Sequence, residues 1–152
     1  MKLSLENIIE RFTNLGCRNF YLTVNYKAKI MKAYFEELQP DYGTHFVEEK
    51  EPLGTAGSLK KISTKIHSNF FVTNCDVLFM MNYRSVYDYH KENNCDITLV
   101  ACQKNFTIPY GVCIKKKDNM LLKINEKPKV DLLINTGFYV LKSSVLKLIP
   151  KN

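Results

Sequence analysis

The chain has 152 residues, 45% of them apolar, so it is long enough to bury a core and is predicted to form one domain over residues 1–152. No apolar run approaches the roughly 20 residues that span a bilayer, and no signal peptide is evident, which excludes membrane proteins and favours a cytoplasmic one. The formal net charge of +7 is concentrated in residues 77–152, which hold 12 basic and 6 acidic side chains.

The basic side chains do not follow the pattern of a nucleic-acid-binding surface, in which basic residues alternate with stacking aromatic ones. The nearest candidate is Lys115-Lys116-Lys117, but Asp118-Asn119 follows it and predicts a hairpin turn. We therefore expect a solvated loop there, with part of the charge attracting phosphorylated small molecules. Nucleic-acid binding is the least favoured hypothesis, and it predicts salt-sensitive affinity for oligonucleotides.

The five cysteines are predicted to be reduced, because their number is odd and none forms a Cys-x-x-Cys pair. They lie in otherwise apolar segments, so we expect them in the core as small apolar side chains. His45, His67 and His90 are too dispersed to complete a zinc pattern, and no structural metal is expected. The cysteines are Cys17, Cys75, Cys95, Cys102 and Cys113.

Helices and strands alternate through the first part of the chain. Apolar residues from Leu5 to Leu15 recur at helical spacing and stop at Gly16, which suits the left-handed residue after a helix. The elements predicted next are strands at 19–24, 44–48 and 69–74 and helices at 28–38, from 55 and at 83–92. Further strands are predicted at 96–102, 111–116, 120–125 and 132–141, before a short helix at 143–148. This order favours a doubly wound, mostly parallel Rossmann-like α/β sheet with a β-rich C-terminal portion.

The turn between the strand at 44–48 and the helix from Thr55 contains a Pro and two Gly, within Glu49-Lys-Glu-Pro-Leu-Gly-Thr-Ala-Gly-Ser-Leu59. Such a turn exposes backbone N–H groups at a helix N-terminus, which carries roughly half a positive charge and attracts anions. A dinucleotide site is an alternative, because Asp76 follows the turn by about 20 residues. That match is poor, since G-x-G-x-x-G needs three glycines and Gly54-Thr-Ala-Gly57 has two.

Polar clusters follow several of the predicted strands, at the edge of an open α/β sheet where ligands collect. Asp76 follows an apolar strand, and a carboxylate beside a polyphosphate site commonly holds magnesium. On position alone, a turn or capping role for Asp76 is the more favoured interpretation. The clusters are Asn74-Cys75-Asp76, Tyr110-Gly111, Glu126-Lys127-Pro128 and Asn135-Thr136-Gly137.

Together with the turn, these clusters resemble in order and spacing the motifs of the sugar nucleotidyltransferase family, which makes nucleotide-diphospho-sugars. The likeness covers nearly the whole chain and is strongest to the mannose-1-phosphate guanylyltransferase-like and heptose-like members. The segment from Glu49 to Leu59 resembles the family's nucleobase-binding turn. Asn74-Cys75-Asp76 resembles Asn-Gly-Asp, Tyr110-Gly111-Val112 resembles Tyr-Gly-Val, Glu126-Lys127-Pro128 resembles Glu-Lys-Pro, and Asn135-Thr136-Gly137-Phe138-Tyr139 resembles Asn-Ala/Thr-Gly-Ile/Phe-Tyr.

The resemblance implies a role for each cluster. Asp76 would coordinate the catalytic Mg²⁺, and Lys127 would neutralise phosphate charge between the two substrates. The residues that would bind the nucleotide are Glu49, Pro52, Leu53, Gly54 and Thr55. The residues that would bind the sugar phosphate are Gly111, Glu126, Lys127, Asn135 and Thr136. The structural alternatives are a plain turn at Gly111, a surface ion pair at Glu126-Lys127 and a strand-end cap at Asn135.

The implied reaction is attack by a sugar-1-phosphate oxygen on the α-phosphorus of a nucleoside triphosphate, which releases pyrophosphate and forms a nucleotide-diphospho-sugar. The nucleophile is already ionised, so no general base is needed, and catalysis rests on alignment and on screening of negative charge. The second hypothesis is a non-catalytic module that keeps the base and sugar pockets but senses a ligand or assembles with a partner.

The chain departs from the family pattern at both ends. Family members open with a first strand and a Gly-rich loop, Gly-Gly-x-Gly-Thr-Arg-Leu, followed by Pro-Lys-Pro, and the chain has neither. It also lacks a second metal-binding Asp downstream, and Cys75 replaces the Gly of Asn-Gly-Asp. We therefore expect a truncated core with negligible transferase activity on its own. Because the first strand is central in that fold, we expect that the remaining strands close up, that a second copy fills the gap, or that the chain is a fragment of a longer protein.

Overall fold

Two compact units make up the part of the chain that the computed structural model describes, which is residues 4–49, 51 and 54–150. The first unit combines Met1–Thr98 with Phe138–Asn152, and the second is Leu99–Gly137. The single domain expected from chain length stays a prediction. None of the described helices combines the length and the apolar character needed to cross a membrane.

Helices and strands alternate in the first unit, as the sequence predicts. The elements up to residue 92 are α1 (Ser4–Thr13), β1 (Asn19–Val24), α2 (Ala28–Leu38), β2 (Gly43–Glu48), α3 (Gly54–Lys61), β3 (Phe70–Thr73) and α4 (Tyr83–Glu92). After them come β4 (Ile97–Thr107), β5 (Val112–Lys115), β6 (Leu121–Asn125), β7 (Lys129–Leu141) and a 3-10 helix (Ser143–Leu148). The predicted bounds of β1, α2 and α4 are confirmed, and Gly16 has the expected left-handed backbone, with φ at +93°.

β1 and β2 form a parallel pair, in register from Asn19 opposite Gly43. The helix α2 connects them, which is the βαβ unit of a doubly wound sheet. β3 instead pairs antiparallel with the end of β7, with Phe70 opposite Leu141. The predicted α/β class is therefore confirmed, and the first unit combines parallel and antiparallel strand pairs.

A groove of about 1100 Å³ opens between β1 and β3. All six residues of β1 and all four of β3 line it, together with apolar residues of α1. The expectation that the strands close up on each other is therefore wrong. Closing the groove would displace α1, whose Ile8, Ile9 and Phe12 line it and are otherwise buried.

An aromatic cluster around Phe138 forms the centre of the first unit. Phe138 is fully buried, and the ring centroids of Phe12, Phe71, Phe79 and Tyr83 lie 4.9–5.9 Å from its own. Phe12 also contacts Phe71 at 5.1 Å and Tyr83 at 5.0 Å. Each such pair stabilises the fold by about 0.5–1.5 kcal/mol beyond the burial of its area. The cluster joins α1, β3, α4 and β7 through their side chains.

The second unit contains the β5–β6 hairpin and most of β4 and β7. The Lys116 N–H donates to the Met120 carbonyl at 2.9 Å across the hairpin turn, where Asn119 takes a positive φ of 65°. The turn predicted from Lys115-Lys116-Lys117 is therefore confirmed. β4 extends to Thr107, beyond its predicted end, because pairing with β7 supports residues that have no apolar pattern of their own.

Three of the five cysteines are exposed, which corrects the expectation that the cysteines lie in the core. Cys102 and Cys113 lie on strands of the second unit, and Cys75 lies in the turn after β3. Apolar neighbours in sequence do not bury a residue on a strand, because adjacent side chains point to opposite faces. Cys17 and Cys95 are partly buried, and burial raises the pKa of the Cys17 thiol.

His90 is a buried titratable group in the last turn of α4. It has no exposed surface, its Nδ1 lies 2.8 Å from Thr98 Oγ1, and its Nε2 has no hydrogen-bond partner within the described residues. Burial lowers the pKa of His90 below its ordinary value of 6.5, the charge of Lys142 acts in the same direction, and Asp96 opposes them. The folded chain therefore holds His90 in its neutral form at neutral pH.

Stability against unfolding is expected to fall as the pH is lowered through the ordinary pKa of His90. The unfolded chain binds a proton there near pH 6.5, whereas the folded chain binds it only at lower pH, so protonation favours unfolding. The loss is at most about 1.4 kcal/mol for each pH unit in that window. Urea unfolding between about pH 5.5 and 7.5 measures it. His90→Gln should remove this part of the pH dependence, and an unchanged slope in that variant would contradict the prediction.

Candidate functional site

The predicted nucleotide-binding residues lie where β2 leads into α3. Glu49 directly follows β2, and its N–H donates to the carbonyl of the last residue of β1 at 3.0 Å. Gly54 and Thr55 are the first two residues of α3. Pro52 and Leu53 lie outside the described residues. The predicted strand and helix on either side of the turn are confirmed.

Lys61 is a residue of this region that sequence patterns did not single out. Its Nζ donates to the Glu48 carbonyl at 2.6 Å, which ties the end of α3 to the end of β2. The sequence feature that could have identified Lys61 is the basic pair Lys60-Lys61 in the last helical turn, where cations complement the helix dipole. The contact places a positive charge one residue from Glu49.

Asp76 lies in the turn after β3, and its side chain is exposed. Asp76 and Glu49 both line the groove between β1 and β3, so the structure brings the predicted metal ligand and a predicted base-binding residue to one cavity. Within residues 4–49, 51 and 54–150, no group of three or more His, Cys, Asp or Glu side chains could hold a metal ion. A metal ion at Asp76 would therefore take few of its ligands from the described residues.

Gly111 and Glu126 face each other across the β5–β6 hairpin, one step beyond the pair Val112–Asn125. A Cβ atom on Gly111 would lie 2.9 Å from Glu126 Oε2 and 3.0 Å from Ile124 Cγ2, closer than such atoms ordinarily approach. A side chain at residue 111 would therefore displace the end of the Glu126 side chain from this contact. The hairpin register brings these two predicted sugar-pocket residues together.

Lys127 has a left-handed backbone, with φ at +44°, and an exposed side chain. That conformation costs roughly 1–2 kcal/mol in a residue that has a Cβ atom. The Ile108 N–H donates to the Pro128 carbonyl at 3.0 Å and so supports the turn from the end of β4. Strain of this kind clusters at functional sites. The alternative of an ion pair between Glu126 and Lys127 is not seen among the described residues.

Asn135 and Thr136 lie inside β7. Asn135 Oδ1 accepts from the Gly137 N–H at 2.9 Å, and Gly137 has a positive φ of 77°. Thr136 Oγ1 donates to the Val100 carbonyl at 2.6 Å, so its hydroxyl can still accept a hydrogen bond from a ligand. The alternative of a strand-end cap at Asn135 does not hold, because β7 continues to Leu141. The Asn135 side chain instead supports a left-handed residue within the strand.

Comparison with known proteins shows what the chain is similar to. The model of a family described as nucleotidyl transferase matches residues 4–152. Mannose-1-phosphate guanyltransferase of Pichia angusta is 37% identical to the chain, and that of Saccharomyces cerevisiae is 35% identical, each over 93% of this chain. The chain spans 41% of the length of the first relative and 42% of the second.

Solved structures share the fold. The crystal structure of HddC from Yersinia pseudotuberculosis has a TM-score of 0.69 and 24% identity, covering 99% of this chain and 69% of HddC. HddC complexed with GMP-PN also has a TM-score of 0.69, with 23% identity, covering 97% of this chain and 66% of that one. At these identities the likeness shows the fold alone.

Lys127→Gly is expected to be more stable than Lys127→Ala by about 1 kcal/mol, because glycine adopts a positive φ without steric cost. Both variants lose the ammonium group, so the difference isolates the backbone from the charge. Urea unfolding of the two variants under identical conditions measures it. Equal stability of the pair would show that the backbone at residue 127 is unstrained.

Proposed function

Since this chain belongs to the nucleotidyl transferase family, we propose that it is the core of a sugar-1-phosphate nucleotidyltransferase. The enzyme transfers a nucleoside monophosphate from a nucleoside triphosphate to a sugar-1-phosphate and releases pyrophosphate. The names of the relatives support GTP and mannose 1-phosphate as the substrates. The structural observation that supports the proposal most is that Glu49 and Asp76 line one groove. The proposal keeps the cytoplasmic location expected from the sequence.

We assign the nucleotide to the first unit. α3 begins at Gly54, and the N–H groups of a first helical turn favour a negatively charged ligand. Glu49 is assigned to the base, as are Pro52 and Leu53, and Thr55 is assigned to the nucleotide at the start of the helix. Lys61, which holds the end of β2, adds positive charge on the same side of the turn.

Nucleotidyltransferases of this family use a divalent metal ion, and we propose Mg²⁺ at Asp76. The exposed carboxylate supplies the oxygen ligand that this ion prefers, and Mg²⁺ commonly takes one or two carboxylates together with substrate phosphates. When bound, the ion would screen the charge of the triphosphate. The protein's part is to hold a carboxylate at the groove that Glu49 also lines.

We assign the sugar phosphate to the second unit. Gly111 lets the Glu126 carboxylate approach the hairpin, and that carboxylate can accept hydrogen bonds from sugar hydroxyls. Asn135 and Thr136 add further polar atoms on β7, and the exposed ammonium of Lys127 can bind a phosphate. The phosphate nucleophile needs no base, so these groups act by orientation and by charge.

We further propose that residues 1–152 alone bind the substrates but turn them over negligibly. The Gly-rich loop that would hold the triphosphate in family members is absent from residues 1–152. Backbone donors aimed at phosphate are a main source of transition-state stabilisation in phosphoryl transfer. A purely non-catalytic module would show the same binding, but it would lack turnover in any longer form of the protein as well.

GTP with Mg²⁺ is expected to raise the unfolding temperature of the chain. Asp76→Asn should weaken the apparent affinity for GTP about tenfold or more, because it removes the charged carboxylate that would bind the metal ion. Thermal unfolding measured against GTP concentration, with Mg²⁺ and with EDTA, gives these affinities. Asp41→Asn is the matched control, because Asp41 is also exposed and does not line the groove. Equal affinities in all three proteins would exclude the role of Asp76, and no shift in any would contradict the proposed function.

Gly111→Ala is expected to weaken mannose 1-phosphate binding about tenfold while changing the free energy of unfolding by less than about 1 kcal/mol. The new methyl group would displace the Glu126 carboxylate, which is the end of a flexible side chain. Calorimetric titration and urea unfolding measure the two effects. Gly43→Ala is the control, because its methyl group would meet Asn19 Oδ1 at 3.0 Å in the first unit, away from the proposed sugar pocket. Equal binding losses in both variants would count against the pocket.

A further inference from the structure

The tip of the β5–β6 hairpin, residues 115–122, exposes apolar and basic side chains next to one another. Met120, Leu121 and Leu122 are consecutive in the sequence, and their exposed fractions are 63%, 57% and 56%. The segment Lys115-Lys116-Lys117 leads into the same turn, and all three lysines are exposed. Three consecutive exposed apolar residues are unusual on a surface that binds nothing. The hairpin tip is therefore a candidate interaction surface.

Strand pairing brings apolar and basic side chains to one face of the hairpin. Leu121 lies opposite Lys115, and Ile124 lies opposite Cys113. Residues directly opposite each other in an antiparallel pair have their side chains on the same face. These four residues are all exposed, whereas Ile114, which lies between Cys113 and Lys115 and points to the other face, is partly buried. The exposed face thus combines aliphatic side chains with a cation.

Hydrogen bonds hold the turn at the hairpin tip. Lys115 Nζ donates to Asn119 Oδ1 at 2.7 Å, and the Met120 N–H donates to Asp118 Oδ1 at 3.2 Å. None of the ion pairs formed within the described part of the chain involves Lys116-Lys117. The ammonium groups of these two lysines can therefore bind an anionic partner.

The composition of the hairpin indicates the class of partner. Residues 111–125 contain four lysines, one acidic residue and no aromatic residue. Single-stranded nucleic acids are bound through stacking aromatic side chains, which this segment lacks. A protein–protein interface takes about 20–30 residues from each partner, more than one hairpin offers. A symmetric contact between two copies would bring the lysines of both tips together. An anionic bilayer attracts lysines and accepts aliphatic side chains without a matching shape.

We propose that the hairpin tip binds the surface of an anionic lipid bilayer. Met120-Leu121-Leu122 would lie at the boundary between headgroups and acyl chains, and Lys115-Lys116-Lys117 would lie among the lipid phosphates. Such a surface contact needs no membrane-spanning segment. It suits the cytoplasmic location of the proposed function, because the cytoplasmic leaflet carries the anionic lipids.

The lysines are tested by flotation of the full chain with vesicles of equimolar phosphatidylcholine and phosphatidylserine. Lys116→Gln/Lys117→Gln should weaken vesicle binding about 25-fold, because each lysine close to an anionic surface contributes about fivefold. The matched control is Lys29→Gln/Lys91→Gln, which removes the same charge from exposed side chains of the first unit. The control should weaken binding less than about threefold, since salt screens charges that lie away from the surface.

The apolar residues are tested at constant net charge. Met120→Gln/Leu121→Gln should weaken vesicle binding at least about tenfold, because burial of these side chains in the bilayer is lost. Ile30→Gln/Leu38→Gln is the control, since both residues are exposed apolar side chains of α2, and it should leave binding unchanged. Amide exchange of the unaltered chain is independent of any variant's folding. The vesicles should slow exchange at residues 116–122 and leave α2 unchanged.

Equal losses in the tip variants and their controls, or no binding to these vesicles, would overturn the proposal. A loss in the lysine variant without one in the apolar variant would show attraction by charge alone and contradict the insertion of the tip. The proposal would also be overturned if the tip variants weakened binding of a single-stranded oligonucleotide or of a second copy of the chain, and not of vesicles.

Discussion

Aromatic packing around Phe138 holds the first unit together, while within the described residues one edge of β1 and one edge of β3 have no strand partner. Phe138 lies on β7 opposite Thr73 of β3, and it contacts Phe12 of α1 and Tyr83 of α4. Because these contacts fix α1 against β3, the fold does not need β1 to pair with β3. The gap between β1 and β3 can therefore stay open while the aromatic cluster beside it remains packed.

The residues proposed to bind the nucleotide and its metal ion, Glu49 and Asp76, line the groove between β1 and β3. Glu49 directly follows β2, so its backbone position is set by the β1–β2 pairing, whereas Asp76 lies three residues beyond the last β3–β7 pair. In the second unit, the register of the β5–β6 hairpin sets Gly111 against Glu126 in the same way. Regular strand pairing thus positions Glu49, Gly111 and Glu126, whereas the backbone of Lys127 is irregular.

Local patterns were sufficient for most of the fold. The bounds of β1, α2 and α4 follow from periodicity and turn residues, and the approach of Gly111 to Glu126 follows from hairpin register. Features that depend on distant contacts were not predictable.

The exposure of Cys102 and the burial of His90 depend on which face of an element is covered. The open groove depends on how α1 packs. The positive φ of Lys127 could not be predicted, because several residue types are compatible with that backbone conformation.

Residue-resolved amide exchange of the unaltered chain tests whether β1 and β3 each have one paired edge and one free edge that faces the groove. Along β1 we expect alternation, in which the amides that point to β2 are protected and those between them exchange quickly. Uniform protection along β1 would contradict this expectation.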